Sequence, residues 1–358
     1  MRGHPLRCPP VKAMKERNHA FDLLCGICIV RMVTLHIMTM CGKNDASWWV
    51  EIMYWSYFFM SFFFFKAGYF NKGLSGATWP YLKDRVRRLL VPWATCGLLG
   101  NAVYFAFLPR MIARYNKPIE PIEWSHLWDT SSHYGNAPTW FLFSFFMAYM
   151  VAHLLEKVPR LHWVVAVFPL VGVWLWQQGN PLWFSLNNVF MGVFFFYVGR
   201  LWAWLIRHAG RRTMFGVSLV LLVAFVACNL LWHGSYTMSN NTFKGSPWAG
   251  LVGVSLALTG IAGVLLTLRV PRIPVINYIG EHSMVFFLLH YPMLYVYKFF
   301  HLSFGRSIYH HLDEVFILVP VIFGLCAWLV PYFEAVPWLS GRPRAKTIQA
   351  EPETSSPA

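Results

Sequence analysis

Long apolar runs separated by short polar connections set the pattern of this chain. Ten runs are long enough to cross a bilayer: roughly 20–40, 48–70, 89–108, 138–155, 162–178, 184–206, 214–232, 248–268, 281–300 and 315–333. A spanning helix needs on the order of 17–25 mainly apolar residues. The pattern therefore predicts an all-α integral membrane protein with about ten transmembrane helices. No internal repeat is visible, which speaks against a transporter built from two similar halves.

Polar positions inside these runs carry more information than the runs themselves. The first run holds Asp22, Arg31 and His36. Ionisable groups at that depth are expensive and usually mark function. At 100° per residue, Asp22, Cys25, Ile29, Val33 and His36 form one stripe, with Arg31 about 140° away from His36. Asp22 and His36 share that face, but a rise of about 1.5 Å per residue puts them roughly 20 Å apart, too far for a direct dyad. Any carboxylate assisting His36 must come from another helix. The ninth run carries Glu281, His282 and Ser283 at one mouth and His290 and Tyr291 halfway across. Pro292 there frees a mid-membrane carbonyl, which must be satisfied again by neighbouring helices or water. Glu51, Lys66, Asn101, Asn187 and Asn188 are further in-span polar groups, and the Asn residues suit hydrogen bonds between helices.

Composition agrees with the pattern. Hydrophobic residues make up 57% of 358 positions and charged residues 13%, about half the charge of an ordinary soluble domain. The 18 Trp suit belts at the lipid–water interfaces. A net charge of +15 could suggest a nucleic-acid partner. The basic residues instead fall in short connections between apolar runs. With the N-terminus inside, cytoplasmic segments hold 20 Lys and Arg and the opposite side 6. That bias predicts both termini in the cytoplasm; the expected location is a bacterial cytoplasmic (inner) membrane. No small-residue cleavage site follows the first run, so it is expected to be retained as a span. The domain reading is a basic N-terminal segment at 1–19, a membrane domain at 20–335 and a disordered tail at 336–358. The seven Cys show no disulfide framework, and Cys25-x-x-Cys28 reads as small packing residues within a helix. No metal-ligand spacing is visible.

Two connections stand out. Segment 71–88, basic and cytoplasmic, places Lys83, Arg87 and Arg88 along a helical stripe, suited to lipid headgroups or to a phosphorylated ligand. The outer loop 109–137 carries Glu120, Glu123, His126, Asp129, His133 and Asn136 among Trp124, Trp128 and Tyr134. Aromatic, carboxylate and amide groups of this kind bind sugars; a plain structured loop is the alternative.

Several of these segments, in this order, resemble the membrane acyltransferase family 3, in its fucose O-acetylase-like branch. Asp22-Leu-Leu-Cys25-Gly26 leads to His36, and the Phe-rich SFFFFKAGYF ends at Phe70. RVRRLLVPW runs from Arg85, and a span opens with Trp140-Phe-Leu142. FFFYVGR and then SMVFFLLHYP, from Ser283 to His290, complete the set. One position departs: relatives usually carry an Arg upstream of the His in the first run, where this chain has Cys25, so the role of that Arg is not transferred to Arg31.

The resemblance implies transfer of an acyl group, usually acetyl, from cytoplasmic acyl-CoA to a hydroxyl of a sugar or glycan at the membrane or its outer side. It implies catalytic roles for His36, Asp22, Glu281 and His290, with His36 as general base or transient acyl carrier. Donor contacts fall to Lys83, Arg85, Arg87 and Arg88, and acceptor contacts to Trp140, Tyr291, Asp129 and Trp128. The lipid bilayer, acyl-CoA and a glycan are the expected partners, with no nucleic acid and no metal. A transporter or flippase for a lipid-linked sugar or small anion, with the His residues as a proton relay, is the alternative class.

Overall fold

The computed structural model describes residues 18–341, apart from 71–73, 75, 116–124, 269 and 304–311. The basic N-terminal segment, most of the polar tail and the loop stretch with Glu120, Glu123 and Trp124 lie outside the described residues. Helices dominate. The first is α1 (His19–Met40), opened by the Asn18 side chain accepting from Ala20 N at 3.1 Å. Then come α2 (Ser47–Trp55), α3 (Ser61–Phe70), α4 (Thr78–Arg85) and α5 (Val91–Tyr115), with a π turn at Val86–Leu90 joining the last two. A short α6 (Ser125–Thr130) precedes α7 (Trp140–Lys157) and α8 (Phe168–Gln177). The long α9 (Asn187–His208) and α10 (Arg211–Trp232) lead into a two-stranded antiparallel hairpin, β1 (Ser235–Thr237) with β2 (Thr242–Lys244). The chain finishes with α11 (Pro247–Leu268), α12 (Pro274–Glu281), α13 (Ser283–Ser303), α14 (Leu312–Ala335) and α15 (Pro337–Ser340).

Among the described residues, seven helices are long and apolar enough to cross a membrane: α1, Thr78–Pro109, Ala137–Lys157, α9, α10, α11 and Glu314–Ala335. The three remaining runs of the sequence are helical but broken or bent. Run 48–70 splits at Ser56 into α2 and α3. The Ser56 hydroxyl donates to Ile52 O at 2.5 Å and accepts from Arg31 Nε at 3.1 Å, so the break is built around a charged side chain from α1. Run 162–178 begins as a 3₁₀ segment, Pro159–Val167, before α8. The ninth run is α13, which contains Pro292 and follows directly on the short α12.

Glycines bring the helices together where membrane helices lack a hydrophobic drive to associate. A Cβ at Gly68 of α3 would strike the Phe196 carbonyl of α9, and one at Gly199 of α9 would strike the Phe65 carbonyl of α3. The same reciprocity joins α1 to α12: Gly26 faces the Ile276 carbonyl and Gly280 the Asp22 carbonyl. The Gly residues that end the two Phe-rich motifs therefore set the contact distance of one helix pair.

The segment between α6 and α7, SSHYGNAPT, is irregular backbone held inside the protein, the form in which such backbone is tolerated at membrane depth. Ser131, His133, Asn136 and Thr139 are buried and bond inward. His133 N and Nδ1 lie 3.2 and 3.0 Å from Thr139 Oγ1, and that hydroxyl donates to Asn136 O at 2.8 Å. The expectation that His133 and Asn136 face a glycan is thereby corrected. Asn136 instead answers the problem that Pro292 creates. Pro292 has no N–H for the carbonyl four residues earlier, and Asn136 Nδ2 donates to that carbonyl, Leu288 O, at 2.9 Å. Asn101, Asn187 and Asn188 likewise bind backbone: Asn101 Oδ1 accepts from Gly135 N at 3.1 Å, Asn187 Nδ2 donates to Asn180 O and Leu182 O at 2.9 Å, and Asn188 Nδ2 to Ser239 O at 3.1 Å.

Two stability outcomes are expected, each measured by thermal unfolding of the detergent-solubilised protein. Gly68→Val should destabilise by about 1–3 kcal/mol through overpacking, whereas Gly216→Ala, with nothing within 4 Å of the added carbon, should be neutral or stabilising. Asn136→Leu should cost about 1–3 kcal/mol by stranding the Leu288 carbonyl. Pro292→Ala, which supplies the missing N–H, should recover much of that loss in the double variant; equal and additive losses would show that the two residues do not share this carbonyl.

Candidate active site

His36 sits in the C-terminal half of α1 and lines a cavity of about 330 Å³. The walls come from α1 (Arg31, Met32, Leu35), from α2 and the break after it (Tyr54, Tyr57, Phe59, Met60), from Pro138 and Trp140 at the start of α7, and from Phe287 of α13. The β1–β2 hairpin and its turn close one side with Ser235, Tyr236, Thr237, Met238, Ser239 and Lys244. No carboxylate lines the cavity among the described residues. The partners of His36 are aromatic and imidazole rings from α13. The His290 ring lies 5.2 Å away, and the Tyr291 ring meets it edge-on at 5.1 Å.

The two histidines differ in setting. His36 is half-buried and borders the cavity, whereas His290 is fully buried behind it. His290 Nδ1 lies 2.9 Å from Phe286 O. A carbonyl only accepts, so Nδ1 carries the proton and the neutral ring presents a bare Nε2. That Nε2 is buried and has no hydrogen-bond partner among the described residues. Spacing along one helix does not reveal this pairing, since α1 and α13 are remote in the chain.

A second cavity, of about 740 Å³, opens toward the other end of α1. Cys25 of α1, Lys66 of α3, Tyr81, Asp84, Arg85 and Arg88 around the π turn, Tyr149 of α7 and Ser283 of α13 line it. Lys66 Nζ donates to Cys25 Sγ at 2.9 Å. The Arg85 guanidinium lies 4.2 Å from the Tyr149 ring centre and 4.9 Å from that of Tyr81. Arg88 Nε bonds Asp84 Oδ1 at 2.8 Å. Three cations against one carboxylate make this chamber basic, and Arg suits planar contact with phosphate. The stripe drawn on an ideal helix is corrected here. Ala77, Pro80, Tyr81, Asp84, Arg85 and Arg88 share the cavity face, while Lys83 is exposed and Arg87 lies off it, its Nη2 3.3 Å from Asp84 Oδ1.

Asp22 and Glu281 are brought together, but not to His36. With His19 they form a group whose ligand-type atoms lie within 4.8 Å of one another where α1 meets α12, and Arg272 pairs with Glu281 at 3.0 Å. They stand at the opposite end of α1 from His36. Asp129 and Trp128 line neither cavity: Trp128 is exposed with its ring 4.9 Å from Phe184, and the backbone oxygens of both accept from Phe184 N and Ser185 N. Trp140 and Tyr291 do reach the His36 site.

Three contributors were not drawn from sequence. The hairpin leaves only a short trace in the sequence, SYTMSNNTFK alternating in polarity about an Asn pair, and Asn241 adopts the left-handed φ of 43° such a turn needs. Lys66 was placed in a span without an assigned chamber. Arg31, set on a different face from His36, nonetheless lines the same cavity because its long side chain crosses to Ser56 and Phe59.

A family model described as an acyltransferase domain, acyltransferase family 3, matches residues 18–331. Neither a curated protein nor a solved structure was found to match the chain. The match covers most of the chain and every residue of both cavities, so this multi-pass membrane protein belongs to acyltransferase family 3 and is an acyltransferase.

Proposed function

We propose that the protein moves an acyl group, normally acetyl, from acyl-CoA to a hydroxyl of a sugar or glycan, as in the fucose O-acetylase-like branch of its family. The observation that carries this reading is the pair of cavities at opposite ends of α1: one basic, with Lys66, Arg85 and Arg88, and one built around His36, His290 and Tyr291. In this reading the chain crosses a bacterial cytoplasmic membrane ten times with both termini inside. The basic chamber then opens to the cytoplasm, where acyl-CoA is made. The His36 chamber opens outward, where a glycan waits.

The cations of the basic chamber hold the CoA phosphates, and the pantetheine arm runs outward along α1. Cys25 and His36 mark the ends of that path, eleven residues or about 16 Å apart along the helix axis. In the outer chamber His36 takes the proton of the acceptor hydroxyl as its oxygen attacks the thioester carbonyl. The carbon–oxygen bond forms, the carbon–sulfur bond breaks, and the proton passes from His36 to the departing thiolate. The bare Nε2 of His290 is an acceptor for the N–H of the protonated His36 ring, and the Phe286 carbonyl keeps His290 in the tautomer this requires. Trp140 and the tyrosines give the sugar an aromatic wall.

Two outcomes test the reading in membranes supplied with labelled acetyl-CoA and a glycan acceptor. His36→Ala should lower transfer by about 10²- to 10⁴-fold while membrane insertion stays intact; unimpaired transfer would remove His36 from the chemistry. Arg85→Gln with Arg88→Gln should raise the donor KM more than it lowers kcat, because the lost contacts bind the donor's remote phosphates. An unchanged donor KM would make these residues topology markers only.

A further inference from the structure

Arg31 is the least explained charge in the His36 cavity. It is 8% exposed, sits in the middle of α1 and lines the chamber. Its Nε is used by Ser56, and the guanidinium carbon lies 3.6 Å from the centre of the Phe59 ring. Its Nη1 is buried without a hydrogen-bond partner among the described residues. The only other formal charge on the described lining is positive as well, Lys244 of the hairpin. Glu51 of α2 is exposed and does not line the chamber. A buried charge without a counter-ion is costly, and a guanidinium is shaped for a carboxylate or a phosphate. The chamber thus has two cations, an unused buried donor and no anion of its own.

We infer that the acceptor is an anionic sugar, whose carboxylate or phosphate is held by Arg31 and drawn in by Lys244 while its hydroxyl lies against His36. Arg31 and His36 are five residues apart, about 7.5 Å along the helix axis, a separation that a single substituted sugar ring bridges. A volume of about 330 Å³ accommodates a unit of that size. Arg31 then fixes which hydroxyl is presented, acting as a specificity residue and leaving the proton transfer to His36. The inference rests on the reading of this chamber as the acceptor site.

The test measures binding and transfer separately on the purified full chain, with three aryl glycosides that differ in one group: a glucoside, a glucuronide and a glucoside 6-phosphate. Binding is read as ligand-dependent thermal stabilisation. The wild-type protein should bind the glucuronide or the phosphate about tenfold to a hundredfold more tightly than the neutral glucoside, the gain of a charge-assisted hydrogen bond. The preferred arm identifies the anion. Arg31→Gln should abolish the preference without changing affinity for the neutral glucoside, and Arg31→Lys should retain part of it. Equal wild-type affinity for all three glycosides overturns the inference whatever the variants do, and so does an Arg31→Gln protein that keeps the preference. His36→Ala separates the two claims: it should still prefer the anion while losing acetyl transfer. Anion-selective binding with no wild-type transfer from acetyl-CoA would sink the reading of acetyl transfer to a sugar hydroxyl and leave the anion site standing.

Discussion

A backbone carbonyl freed at membrane depth is costly until a donor within the protein takes it, and this demand organises the half of the molecule around His36. Pro292 removes an N–H from α13 two residues beyond His290, and the stranded Leu288 carbonyl is taken by Asn136 from the irregular segment before α7. That single donor ties three things together: the stretch of α13 before Pro292 that carries His290 and Tyr291, the inserted segment, and the Pro138–Trp140 corner that walls the His36 cavity. The inserted segment is itself pinned by the His133–Thr139 and Asn101–Gly135 contacts. Side chains carried on elements tied together in this way need little reorganisation when a ligand enters.

Packing supplies the second constraint. Paired glycines let α3 approach α9 and α1 approach α12 until backbone meets backbone. The first contact positions Lys66 on α3, and the second brings the N-terminal end of α1 against the helix that precedes α13. The charge cluster of His19, Asp22, Glu281 and Arg272 sits at that second contact, which gives these carboxylates a place in holding α1 to α12. His36, some twenty ångströms along the helix, is served by rings rather than by carboxylates.

The two cavities divide the electrostatics of the reaction. Basic side chains at one end of α1 suit a multiply phosphorylated donor, and the two imidazoles at the other suit proton transfer. The π turn at Val86–Leu90 belongs to the same design: it lies in the basic element and adjoins the face on which Arg85 and Arg88 meet the chamber. Such turns recur at functional sites because they locally break helical register.

The sequence by itself determined the helical membrane class, because apolar run length and the scarcity of charge leave no other solution. It also singled out His36 and His290 as candidates, since ionisable side chains at that depth are costly, and the structure sets their rings 5.2 Å apart. It pointed to the Pro292 carbonyl as a group needing a partner, and to the basic element before α5. What it did not determine was who meets whom. The His36–His290 contact, the Asn136 donor and the Lys66–Cys25 pair all join residues distant in the chain. Helical-wheel angles also misjudged long side chains: Arg31 reaches the His36 cavity from another face, and Lys83 and Arg87 fall off a face that ideal geometry gave them. A side chain of Arg's length covers more arc than 100° steps resolve, and a π turn breaks the wheel altogether. Asp22 and Glu281 were legible as carboxylates near the ends of their runs, and helix rise already set Asp22 too far from His36, but only the tertiary structure decided that the two carboxylates meet each other. The break at Ser56 and the hairpin over the cavity arose the same way, from Arg31 needing a partner and from an Asn turn too short to register against the surrounding apolar runs.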